Sequence, residues 1–205
     1  ESLENDSQQL LINLRKVNDI KRINDYYALL NKKTQIGAYV VGCGLTFGDI
    51  YKRFLKQYPR PLGHIFYFFH FFFRRVLPKL PLTREINYLL TKGDNRTLSK
   101  TEILGRLVFS GFKIVASTEI KGLLWFIAGK VNVPYKGEDP TYGPFISMKR
   151  IGKDGKIIKV FKFRTMHPYA EYLQQYIYEL NHLAKGGKLK DDFRIAGWGR
   201  FLRKT

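Results

Sequence analysis

The stretch that most constrains this chain is IFYFFHFFF, Ile65 to Phe73: six phenylalanines in nine residues, followed by Arg74, Arg75 and Lys79. A run this apolar has to leave water, yet it is under half of the roughly 20 residues a helix needs to cross a bilayer. Two arrangements satisfy both conditions. One is a core helix stopped by Pro78 and Pro81; the other is a helix lying in a membrane interface, apolar body down and basic end toward lipid phosphates.

Composition limits the partners. Lys and Arg number 36 against 17 Asp and Glu, a formal charge of +19, so the surfaces this chain meets are anionic: phosphorylated small molecules, lipid or nucleic acid. At 205 residues and 44% hydrophobic content the chain is long and apolar enough to build a core. A single cysteine, Cys43, excludes an internal disulfide framework and fits a reducing, cytoplasm-exposed setting. The start ESLENDSQQL has neither initiator Met nor secretory signal, and the end GWGRFLRKT stops on a basic amphipathic run, so the chain reads as a piece of a longer protein.

Leu10, Leu14, Val17, Ile20, Ile23, Tyr27 and Leu30 recur every three or four residues, which predicts an amphipathic helix, or two meeting near Asn18-Asp19. GAYVVG at 37–42 then predicts a buried strand. SKTE at 99–102 has capping-box form, Ile103, Leu104, Leu107 and Val108 continue an apolar helix face, and Gly111 marks its stop. FKIVAS and GLLWFIAGKV read as two antiparallel strands. The Pro-, Gly- and acid-dense stretch 132–147 places a boundary, giving residues 1–133, with an aromatic-rich helical insertion at 47–98, and residues 134–205. From 147 onward fourteen Lys/Arg face five Asp/Glu, arranged as a hairpin turning at Asp154-Gly155, a helix with Tyr172, Leu173, Tyr176, Ile177 and Leu180 on one face, a break at Gly186-Gly187 and a basic tail.

The glycines of VVGCGLTFGD, 40–49, do not reproduce the G-x-G-x-x-G spacing of a dinucleotide site and are read as serving turn geometry. His64, His70, His167 and His182 form no metal-ligand spacing. A strand over 157–166 alternates Phe161, Phe163 and Thr165 with Val160, Lys162, Arg164 and Met166. That predicts a packed aromatic face and an opposite face offering Lys162 and Arg164 to a diphosphate, Arg as a fork and Lys as a point charge. A charge-protected edge strand gives the same pattern. In DDFRIAGWGRFLRK, acids precede cations around small residues, so Asp191 and Asp192 read as orienting the arginines, holding a divalent ion or forming surface ion pairs.

Two resemblances follow from these residues. The order helix, GAYVVG strand, SKTEILGRLVFSGF helix and two terminal strands, over about 10–133, resembles the second half of a class I methyltransferase-like fold. The cofactor glycines of that fold lie in its first half, which this order lacks. KRIGKDGKIIKVFKFRTM followed by DDFRIAGWGRFLRK, over about 143–205, resembles the bacterial sugar transferases, the monotopic polyprenyl-phosphate hexose-1-phosphate transferases. Together they imply a mixed α/β (α+β) chain: a methyltransferase-like half domain with its insertion, then a small basic α+β sugar-transferase segment.

The sugar-transferase resemblance also implies chemistry. Members move a sugar 1-phosphate from a nucleotide sugar to polyprenyl phosphate at the cytoplasmic face of the bacterial inner membrane, in surface polysaccharide or glycoconjugate biosynthesis. They use Mg²⁺ and an Asp-Glu pair, whose carboxylate attacks the β-phosphoryl group. By family spacing that pair falls just beyond Thr205, so the chain as written is expected to be inactive. Lys162, Arg164, Arg194, Arg200 and Arg203 match motif positions and are the phosphate candidates, with Asp192 in support. A nucleic-acid-binding module is the less favoured alternative, because Phe161 and Phe163 are expected to pack rather than stack on bases. A non-catalytic scaffold is the third.

Overall fold

The computed structural model describes residues 4–80, 83–92, 94–135, 142–181, 189 and 191–203. His182, the Gly186-Gly187 break and positions 136–141 of the expected boundary lie outside them. The architecture is mixed α/β. Strand β1 (Gln8–Lys16) leads through helix α1 (Ile23–Lys33) to a parallel neighbour, β2 (Thr34–Gly44). Helices α2 (Phe47–Gln57), α3 (Arg60–Phe71) and α4 (Arg84–Thr91) form the insertion. Helix α5 (Lys100–Phe109) returns the chain to a hairpin of β3 (Phe112–Ile120) and β4 (Leu123–Lys130). The strand order is β1-β2-β4-β3, with β4 inserted antiparallel between β2 and β3.

One sequence expectation fails at the start: residues 8–16 are a strand, not the first turns of a helix. Leu11 and Asn13 are half-buried while Leu10, Ile12 and Leu14 on the alternate side are exposed. Both sides carry apolar residues, so the period of two is hidden and Leu10 with Leu14 mimics helical spacing. The glycines of β2 correct a second reading. Gly42 and Gly44 lie within the strand, and a Cβ on them would meet the Phe126 ring at 2.6 Å and Val17 at 2.8 Å. They serve close packing, not a turn.

The core lies on one face of this sheet. Tyr27 from α1, Ile103, Leu104 and Leu107 from α5, and Val40, Phe112, Leu124 and Phe126 from the strands are all buried there. The opposite face leaves Leu10, Ile12, Leu14, Tyr39 and Val115 about half or more exposed. Two buried amides tie the irregular segments to the core. Asn18 donates to Leu45 O and Arg96 O and accepts from Leu45 N, closing the base of the insertion. Asn31 donates to Ser110 O and Asn132 O, joining the end of α1 to the turns after α5 and β4. Gly111, at φ +85°, ends α5 as expected.

Packing runs across the 133/134 division of sequence character. Beyond it, β5 (Phe145–Ile151) and β6 (Ile157–Phe163) make a separate two-stranded sheet. The chain then returns through a 3₁₀ turn, Ala170–Leu173, into α6 (Gln174–Asn181), and Leu173 and Ile177 enter the same core as Phe112 and Ile103. Tyr169 sits on Gly105, where a Cβ would come within 2.6 Å of it. A short helix, α7 (Gly197–Leu202), completes the described chain.

The insertion is held by charge. Ser99 and Glu102 form the expected capping box at the start of α5, but Glu102 is fully buried and does more. Its Oε2 accepts from Arg75 Nη1 at 2.7 Å and its Oε1 from Lys79 Nζ at 2.8 Å, so the end of the Phe-rich segment is pinned to α5. Burial opposes ionisation of Glu102, yet Arg75, Lys79 and the Ser99 N–H outweigh it and hold the carboxyl well below its usual range. Lys79 is itself pulled down, by burial, to about 8, against the opposing pull of Glu102.

Glu102→Gln keeps the shape and leaves two cations without their counter-charge, so urea unfolding at pH 7 should show a loss of about 3 kcal/mol. Because the native carboxyl titrates below its unfolded value, its contribution is complete above roughly pH 4.3 and is lost as pH falls through the native value. The acid limb of the stability profile should therefore be flatter in E102Q than in wild type.

Candidate phosphate-binding site

Strand β6 delivers the first candidates. Its register with β5 pairs Phe163 with Phe145, Lys162 with Ile146 and Val160 with Met148, and the turn uses Asp154 and Gly155, both at positive φ, as the sequence predicts. The faces are the reverse of the expectation. Phe161 and Phe163 are 70% and 56% exposed, whereas Val160, Ile146 and Met148, which share the face of Lys162, are half-covered. No helix seats on the Phe161 face among the described residues, and Phe163 has only the Phe145 ring across the strand, at 5.0 Å. Alternation was legible in the sequence; which side would be covered was not.

At the end of β6 the two sequence blocks meet. Met166 bridges to Ile195, His167 N donates to Arg194 O at 2.8 Å, and Ala196 N donates to Thr165 O at 3.0 Å. Gly199, on the first turn of α7, lies so close to Thr165 that an added Cβ would collide with its carbonyl. Arg203 reaches back from the end of α7, with Nε 3.2 Å from Thr165 Oγ1. Only glycine at 199 lets α7 sit this near the strand end.

The candidates divide into two kinds. Lys162, Arg200 and Arg203 have exposed side chains; Arg203 is the one brought directly to the Thr165 end of β6. Arg164 is half-buried, donating from Nε to Gly143 O at 2.8 Å. Arg194 is different. It is 2% exposed and makes a bidentate pair with Asp192, Nε to Oδ1 at 2.9 Å and Nη2 to Oδ2 at 2.8 Å, while Nη1 reaches Gln174 Oε1 and Ala170 O. Its fork is committed to protein groups, so it positions the Ile195–Ala196 backbone and does not present itself to phosphate. Burial works against the Asp192 charge, but the hydrogen bonds from Arg194 prevail and hold its carboxyl low.

Sequence reasoning passed over His167. Its ring lies 5.5 Å from Phe47, linking the strand end to the insertion. Burial and the nearby Arg75 and Lys79 pull the imidazole down to about 4, against the pull of Glu102. His-Pro at 167–168 gave no spacing signal, because its partners are spatial. Among the described residues no three His, Cys, Asp or Glu side chains gather as a divalent cation would require, and Asp192 is occupied by Arg194. The described residues do not by themselves make up a Mg²⁺ site.

Comparison with known proteins bears on this arrangement. Residues 106–205 match the family described as bacterial sugar transferase. The match begins inside α5, upstream of the two blocks that carry the resemblance. The galactosyl transferase CpsE of Streptococcus agalactiae serotype III (strain NEM316) is 42% identical over 67 residues, which are 31% of this chain and 14% of that protein. The chain therefore spans a small part of the length of the curated relative it matches. No solved structure matches it.

His167 tests the joint between strand end and insertion. Its native value of about 4 lies below the roughly 6.5 of an unfolded histidine. The neutral ring's contribution is thus complete above about pH 6.5 and is lost as pH falls toward 4. An NMR titration should place the His167 midpoint near 4, and H167Q should remove the slope in stability between pH 6.5 and 4.

Proposed function

We propose that this chain, whose residues 106–205 match the bacterial sugar transferases, is a segment of a membrane-associated transferase that moves hexose 1-phosphate from a nucleotide sugar to polyprenyl phosphate, in surface polysaccharide or glycoconjugate biosynthesis. The observation that carries the reading is the meeting of the two family blocks at Thr165. There the exposed Arg203 comes to the end of the strand that bears Lys162, with Arg164 next in the chain. In this reading Arg203, Arg164 and Lys162 bind the diphosphate of the donor or the acceptor phosphate, with Arg200 on the adjacent helix turn. Each charge-assisted bond that strengthens as negative charge builds on the phosphoryl oxygens lowers the barrier. Arg194, Asp192 and Gly199 hold α7 in place.

The carboxylate nucleophile of this proposal is the acidic pair the family spacing puts beyond Thr205. Mg²⁺, when bound, would neutralise phosphoryl charge; its ligands are sought outside the described residues. The parallel pair β1-β2 joined by α1, with β4 inserted antiparallel beside β3, supports a methyltransferase-like half domain for the N-terminal sheet. Gly42 and Gly44 are packed within β2, so no S-adenosylmethionine site is assigned to them.

The Phe-rich segment supports the membrane part of the reading. Gly63, Tyr67, His70, Phe71 and Arg74 form the inner stripe of α3 and its π-helical continuation, Phe72–Val76, and Tyr67 and His70 pack on Phe54. Ile65, Phe66, Phe68, Phe69, Phe72 and Phe73 face outward, 39 to 63% exposed. No described helix is long and apolar enough to cross a membrane. The exposed apolar face instead suits an interfacial helix at the cytoplasmic face, held there by its phenylalanines, since Arg75 and Lys79, expected to meet lipid phosphates, turn inward to Glu102.

One observation favours the nucleic-acid alternative: the exposed Phe161 and Phe163 share their face with Lys149 and Lys159. Fluorescence anisotropy with single-stranded oligonucleotides separates the readings, since tight and steeply salt-dependent binding belongs to nucleic acid.

Two outcomes test the main reading. With polyprenyl phosphate, Mg²⁺ and a panel of UDP-sugars, the chain carried through the acidic segment should release nucleoside monophosphate, and R203Q should lower kcat/KM by about 10- to 100-fold, one lost charge-assisted bond. Silence across the panel would remove the transferase assignment. In flotation with anionic vesicles, F68S/F69S/F72S should release the protein from lipid while leaving its Tm in place, because those rings face solvent; binding indifferent to the substitutions would remove α3 as the docking element.

A further inference from the structure

The β5–β6 hairpin carries an apolar face that phosphate binding leaves unused. Its register sets Ile151 opposite Ile157, Lys149 opposite Lys159 and Phe145 opposite Phe163, with Phe161 on the same side. The five apolar side chains of this face are 54 to 82% exposed, Ile151 and Ile157 the most. A two-stranded sheet is marginal in water unless one of its faces is covered, and β5 and β6 make a sheet of two. Exposed apolar surface of this kind marks a place of contact.

Charge says what makes the contact. Between Phe145 and Phe163 the hairpin carries Lys149, Arg150, Lys153, Lys156, Lys159 and Lys162 against Asp154. Among the described residues no carboxylate pairs with any of the six cations. Lys149 and Lys159 stand directly opposite each other in the middle of the apolar face, an arrangement that like charges disfavour in water. It matches a surface that is anionic outside and apolar beneath: the phenylalanines and isoleucines enter the apolar layer, the lysine stems lie along them, and the ammonium heads rise to phosphate. Single-stranded nucleic acid fits less well, because Ile151 and Ile157 give a base no ring to stack on. A second copy of the same face would bring four lysines together.

We propose that this face of the hairpin docks on an anionic lipid surface. The inference rests on the reading of the chain as membrane-associated and deepens it, adding a contact that selects lipid charge. Helix α3 offers phenylalanines, while Arg75 and Lys79 beyond it are turned to Glu102; the hairpin offers apolar side chains and unpaired lysines together. The two elements are joined at the base of the hairpin, where Lys79 Nζ lies 4.1 Å from the ring of Tyr142, three residues ahead of β5. Lys162 points to the opposite face from Lys159 and stays with the phosphate candidates.

A dye sensitive to its surroundings, attached at Ile157→Cys, reports on this face alone, because the chain's own Cys43 is buried. At low salt its emission should shift to the blue on phosphatidylcholine vesicles containing phosphatidylglycerol, much less on phosphatidylcholine alone, and the shift should fade as salt rises. In the labelled protein K149Q/K159Q should weaken partition to the anionic vesicles about tenfold or more. Its Tm should be equal or higher, since a like-charge pair is removed. F68S/F69S/F72S should reduce flotation and leave the dye's preference for anionic lipid. Protein that floats with the dye unshifted would leave α3 as the contact and overturn the proposal. Equal shifts on both kinds of vesicle, or no binding to either, would do the same. A shift produced by a single-stranded oligonucleotide or by rising protein concentration, in place of vesicles, would give the face to nucleic acid or to a second copy. Nucleoside monophosphate release and the α3 substitutions are read separately, so failure of the transfer reading, or of α3 docking, is told apart from failure here.

Discussion

The buried carboxylate of Glu102 is the interaction on which most of this arrangement rests. A lone charge at that depth would be costly; a charge met by Arg75, Lys79 and the Ser99 N–H becomes a three-way clamp. It starts α5, fixes the end of the Phe-rich segment against the domain, and sets the potential felt by His167. Removing the carboxylate would therefore disturb the Phe-rich helix and the strand end together.

The parts of the fold that were legible in the sequence are those written locally. The capping box at Ser99, the stop at Gly111, the β3–β4 hairpin and the turn at Asp154-Gly155 each depend on residues a few positions apart. What was not legible depends on coverage. Leu10, Ile12 and Leu14 lie on a sheet face that no helix covers among the described residues, and with apolar residues on both sides their strand mimicked a helix. Phe161 and Phe163 look like core residues by type and are exposed because no helix seats on that hairpin among the described residues.

The candidate site was half visible for the same reason. Motif positions named candidates, and of these the structure brings Arg203 to Thr165, where Ala196 and Gly199 also join the two sequence blocks. Motifs do not say which arginine is free to act. Arg194 and Arg203 look alike in DDFRIAGWGRFLRK, yet one is buried on Asp192 and Gln174 and the other is exposed.

The face of the four-stranded sheet that no element covers among the described residues bears on unfolding thermodynamics. Apolar surface that is already wet in the native state contributes nothing to the heat-capacity change or to the denaturant slope, since both scale with surface newly exposed. Leu10, Ile12, Leu14, Tyr39 and Val115 fall in that class. The stability curve of this chain alone is accordingly shallower in temperature than its length implies, and its midpoint is unusually sensitive to whatever layer comes to lie on those five side chains.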